Sequence, residues 1–145
     1  MINRIQWLVA VGLISASGAV MGEGRIYAED GVAISGADPV AYFELGEATQ
    51  GSSEHSYEWR GVEWHFANPD HRAMFAENPE KYAPEYGGWC AWAAARGDAA
   101  ATSPQAWAIV DGDLYLNYNQ SIQTRWEKDV QGFIERADDQ WPDIF

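Results

Sequence analysis

Two stretches of the chain alternate apolar and polar residues with a period of two, and each is broken by a pair suited to a tight turn. "SYEWRGVEWHFA" alternates about Arg60 and Gly61, which predicts a β-hairpin with every second residue on one face. With a two-residue loop, Tyr57, Trp59, Val62, Trp64 and Phe66 share that face, and Glu58 falls opposite Glu63, an unfavourable pairing of like charges. "AWAIVDGDLYLNY" is the clearer hairpin, because Asp111 and Gly112 can take the positive φ angles of a tight turn.

A period of 3.6 takes over near the C-terminus. Ile122, Trp126, Val130, Phe133, Ile134 and Ala137 fall on one face of a single helix capped by Asn119 or Ser121. Gly132 inside it costs roughly 1 kcal/mol relative to Ala, which points to a close packing contact. Shorter helices are announced by start signals: Asn68-Pro69-Asp70 and Asn78-Pro79-Glu80 each combine an N-cap, a proline and an acid. Asp38-Pro39 opens a turn over 38–43 in the same way, and "WCAWAAARG" predicts a third short helix over 89–95, ended by Gly97. The remainder of 23–56 is rich in Gly, Ser, Ala and acids and reads as loop. The fold class is therefore α+β: a small antiparallel sheet from two hairpins, with short helices and a C-terminal amphipathic helix packed on it.

The first residues change the setting. "MINRIQWLVAVGLISASGAVMG" has a basic start at Arg4, an apolar run and then small residues, the pattern of a secretory signal peptide over 1–22 with cleavage near Ala19 or Gly22. A retained anchor is the alternative, but the apolar run is short against the roughly 20 residues of a spanning helix. The expected product is one exported domain over 23–145, periplasmic or secreted, with no membrane span. Cleavage removes Arg4 and no acid, so 8 of the 9 basic residues remain against all 22 acids, a net charge of −14. That argues against nucleic acid or anionic lipid as partner.

One cysteine remains in this exported setting, so no disulfide can form within the chain. "YGGWCAWA" puts Cys90 at the second position of the predicted helix, where unpaired N–H groups and the helix dipole would favour thiolate. Gly87 and Gly88 would let a partner approach the backbone, and Tyr86, Trp89 and Trp92 would wall the thiol. A small buried hydrophobe is the rival reading of the same residue. His71 lies in a capped helix, His65 opposite Trp64 and Phe66 on the first hairpin, and His55 in a loop-like stretch. Met74 reads as core, as do Trp59, Trp64, Trp107 and Trp126. No G-x-S-x-G, H-E-x-x-H, P-loop or C-x-x-C is present.

Residues 38–82 resemble the YHS domain, a small module related to treble-clef metal-binding domains. Asp38-Pro39-Val40 matches its opening, Phe66 and Phe75 its two phenylalanines, and Pro79 and Tyr82 its close. With "YGGWCAWA", "VDGDLYLNYN" and "RWEKDVQGFIERAD", the chain is similar to the exported bacterial YHS-domain proteins, some of which are described as selenoproteins. The resemblance implies that the ligand positions of the metal-binding form are here Ala41, Ala67 and His71. Two alanines rule out a four-ligand zinc site.

Three functions follow as expectations. The first is binding of a soft ion, Cu(I) or Ag(I), through Cys90 with His71 and His65. The second is one-thiol redox chemistry at Cys90, reducing peroxides or exchanging with small thiols. The third is a non-catalytic structural or interaction module that has lost its ligands.

Overall fold

The chain is seen here as a computed structural model that describes residues 25–145; the signal peptide expected over 1–22 lies outside them. The first hairpin forms with the anticipated register. β3 (Ser52–Trp59) pairs antiparallel with β4 (Val62–Phe66), setting Tyr57 against Trp64, Trp59 against Val62 and Glu58 against Glu63. Arg60 and Gly61 make the turn at φ 53° and 80°. A register shift between Ser52 and Ser56 lets β3 run further back than the alternation indicated. His55 therefore stands on a strand rather than in a loop.

The segment expected to be loop adds two short strands, β1 (Ala28–Glu29) and β2 (Val32–Ala33), giving the order β1-β2-β4-β3. All pairings are antiparallel except β2 with β4, which meet in parallel at Val32 and Glu63. Helices α1 (Pro39–Glu44), α2 (Pro69–Glu77) and α3 (Pro79–Tyr82) follow from the proline start signals. Asp38 and Asn68 cap α1 and α2 through their side chains, whereas Asn78 makes no side-chain cap bond to α3. Trp64, Phe66 and Phe75 are fully buried between sheet and helices. The Phe75 ring lies 5.1 Å from both, an arrangement that adds to plain area burial.

The second hairpin, β5 (Ser103–Val110) with β6 (Asp113–Asn117), turns at Asp111 and Gly112 with φ 52° and 85°. Alternation along β6 sends Leu114 and Leu116 into the core under the first sheet, while Tyr115 enters a second core with Tyr86, Trp126 and Ala137. One strand thus joins two apolar clusters. The C-terminal helix is two helices rather than one. α5 (Gln120–Trp126) is capped by Asn119, a 3₁₀ turn spans Glu127–Asp129, and Asp129 caps α6 (Val130–Gln140). Among the described residues no helix is long and apolar enough to cross a membrane.

Candidate functional site

Cys90 is buried to 1% exposure at the N-cap of α4 (Ala91–Ala94), with φ −59° and ψ 120°. The sequence placed it one step inside a seven-residue helix. Pro84 and the positive φ angles of Tyr86 and Gly87 instead fold 85–88 as a separate 3₁₀ turn, and Trp89 is extended. A four-residue helix carries little dipole, so the expected stabilisation of thiolate fails. Burial pushes the Cys90 pKa up, and the backbone groups of Ala93, Tyr118 and Trp92 oppose that without reversing it. The resting group is a thiol.

Its surroundings are polar on one side and apolar on the other. The Cys90 Sγ donates to Asn117 Oδ1 at 3.4 Å, and the Trp92 N–H donates to the same oxygen at 2.9 Å. Asn117 Nδ2 donates to Gln123 Oε1 at 2.7 Å, and Gln123 Nε2 to the Trp107 carbonyl at 3.1 Å. Asn117 and Gln123 are both buried, so this chain leaves each amide a single orientation. Against the thiol lies a cavity of about 240 Å³ lined by Trp92, Ala93, Ala100, Tyr118 and Ile122.

Of the aromatic wall expected around Cys90, only Trp92 lines that cavity. Trp89 packs on Tyr27 and Phe145, and Tyr86 turns toward Tyr115 and Trp141 while its hydroxyl donates to Asp138 at 2.9 Å. Gly87 and Gly88 do admit a close approach, but by the chain itself. A Cβ on Gly87 would collide with the Arg25 carbonyl, and one on Gly88 would lie 2.5 Å from Ile34 Cγ2.

The candidate histidines are engaged elsewhere. His71 Nδ1 lies 2.6 Å from Asp38 Oδ2. A carboxylate there can only accept, so Nδ1 carries the proton. The other bonds to Asp38 come from the backbone N–H groups of Val40, Ala41 and Ala67. The three positions assigned by resemblance to metal ligands, Ala41, Ala67 and His71, thus gather around one fully buried carboxylate. His65 Nε2 sits 2.5 Å from Glu63 Oε2 on the sheet face away from Trp64. No histidine lines the Cys90 cavity. Among the described residues no group of three or more His, Cys, Asp or Glu side chains is placed to hold a metal ion.

Sequence reasoning named Cys90 but missed Asn117 and Gln123. A signal existed for the first, since Asn117 shares a strand face with the inward-pointing Tyr115. Gln123 carried none beyond adjacency to Ile122 on a predicted helix. The chain matches no family model, no curated protein and no solved structure.

Proposed function

We propose that this is an exported one-thiol redox protein with Cys90 as its reacting group. The observation that carries the reading is the thiol set at an apolar cavity of about 240 Å³, with its proton held by Asn117. The resemblance to exported YHS-domain proteins, selenoproteins among them, points the same way.

In the proposed cycle a small hydroperoxide enters the cavity, Cys90, a thiol at rest, gives up its proton as it reacts, and the thiolate so formed attacks the outer oxygen. The O–O bond breaks, leaving Cys90 sulfenic acid, and the thiol proton passes to the departing alkoxide to give an alcohol. With no second cysteine in the chain, a small external thiol must condense with the sulfenic acid, releasing water and leaving a mixed disulfide. A second molecule of that thiol then frees Cys90 and departs as the symmetrical disulfide. Asn117, anchored by Gln123, is the positioning residue for the sulfur.

The soft-ion reading, Cu(I) or Ag(I) on Cys90 and His71, draws less support, because the His71 imidazole is bound to Asp38 and no imidazole lines the thiol's cavity. The module reading rests on the burial of Cys90. Metal content, peroxide consumption with a small-thiol reductant, and thiol alkylation on one native sample separate the three. Peroxide turnover abolished by Cys90→Ser is the expected result. Stoichiometric copper lost with Cys90→Ser would replace the proposal with the soft-ion reading. A native thiol inert to peroxide and alkylation that reacts only in urea would leave the structural module.

A further inference from the structure

A second cavity, of about 300 Å³, lies beside the Tyr86 turn and is lined by Trp59, Tyr86 and Trp141 together with Arg60, Glu80 and Glu85. It shares no lining residue with the Cys90 cavity. Its charges do not balance. Arg60 pairs with Glu80 at 3.3 Å, which leaves the half-buried Glu85 with no cation among the cavity-lining residues. Burial and the negative fields of Asp113 and Asp138 disfavour the ionised Glu85 further, so the local surroundings offer it repulsion where a counter-ion would relieve it.

The ring systems indicate what kind of cation fits. Arg60 lays its guanidinium 4.4 Å from the Trp59 ring centroid, so one organic cation is already held on an indole face at the edge of this cavity. Trp141 offers a second, half-buried ring beside Glu85, set edge to face against the buried Tyr86 ring at 5.8 Å. A bare metal ion gains little from such walls, because it would have to shed water for ring faces. A weakly hydrated ammonium gains both the ring quadrupoles and the carboxylate.

We propose that this cavity is a binding site for a small monovalent organic cation of the alkylammonium class, held by Glu85 and by the rings of Trp141 and Trp59. Glu85 supplies the charge and the rings supply selection against sodium. Arg60 is a competitor tethered at the rim, and because its pair with Glu80 is exposed it yields readily.

The test titrates the purified protein with tetramethylammonium chloride, following tryptophan fluorescence and backbone amide shifts, against sodium chloride at equal ionic strength. The expected response saturates, centres on residues 59, 85–87 and 141, weakens about tenfold in Glu85→Gln and strengthens in Arg60→Ala, which removes the tethered competitor. Cys90→Ser leaves it unchanged, so failure of the thiol reading and failure of this one are separable. Glu85→Gln keeps the side-chain shape and removes a disfavoured charge, so it tests the charge without threatening the fold. No saturation, the same response to sodium, or full retention in Glu85→Gln overturns the proposal.

Discussion

Asp38 is fully buried and accepts from the N–H groups of Val40, Ala41 and Ala67 as well as from His71 Nδ1. The four bonds tie three pieces of chain: two hold the first turn of α1, one the end of β4, and one α2. A helix cap alone is worth about 1 kcal/mol, but removal of a buried carboxylate strands three backbone donors and an imidazole together. Asp38→Ala is therefore expected to cost about 3–5 kcal/mol in urea unfolding. His71→Ala leaves the backbone bonds in place and should cost less, about 1–3 kcal/mol. Equal losses in the two variants would show that the pair, and not the carboxylate, organises this corner. The cap was legible from Asp38-Pro39, because capping is local. The reach from Asp38 to Ala67 and His71 was not, because nothing in the spacing of residues 38, 67 and 71 says that their elements meet.

At the scale of elements, the two hairpins and the proline-led helices were readable because each is specified by neighbours in sequence, through alternation, turn residues or caps. The failures occurred where a local signal had two uses. Asp129 looked like one more acid on a long amphipathic helix, yet it ends one helical run and caps the next by accepting the Gly132 N–H at 3.2 Å. The close contact foreseen at Gly132 is with that cap, since a Cβ there would collide with the Asp129 carboxylate. Gly132→Ala should consequently fail to gain the roughly 1 kcal/mol that Ala ordinarily adds to a helix, and Asp129→Ala should lose about 1 kcal/mol. In Asp129→Ala the obstructing carboxylate is gone, so adding Gly132→Ala to it should restore the missing gain; thermal melts of the double cycle read this directly. Gly87 sets the same limit in the turn that precedes α4. Its φ of 62° and the Arg25 carbonyl against it make Gly87→Ala about 2 kcal/mol or more destabilising.

The whole molecule carries its stability in aromatic packing across two cores, and its charge is one-sided at −13. These two facts set opposite ends of its pH response. On the alkaline side, burial raises the pKa values of Tyr27, Tyr42, Tyr86, Tyr115 and Cys90 together. Each group is neutral when folded and loses its proton at lower pH when unfolded, so the unfolded chain binds fewer protons and stability falls as pH rises. The decline begins near the unfolded values, about 8.5 for Cys and about 10 for Tyr, and continues through the raised folded ones. Tyr42→Phe removes one such group, along with its bond to the Pro104 carbonyl, and should flatten the alkaline slope while lowering the neutral plateau. On the acid side Glu85 behaves in the same sense, because its folded pKa is also raised. Its cost is absent below the unfolded Glu value of about 4.3 and complete once pH exceeds the folded one. Glu85→Gln should therefore melt higher than the parent at pH 7 and level with it near pH 3.5. An equal gain at both pH values would mean that the amide stabilises by new packing, and that the carboxylate carries no unrelieved charge for a cation to neutralise.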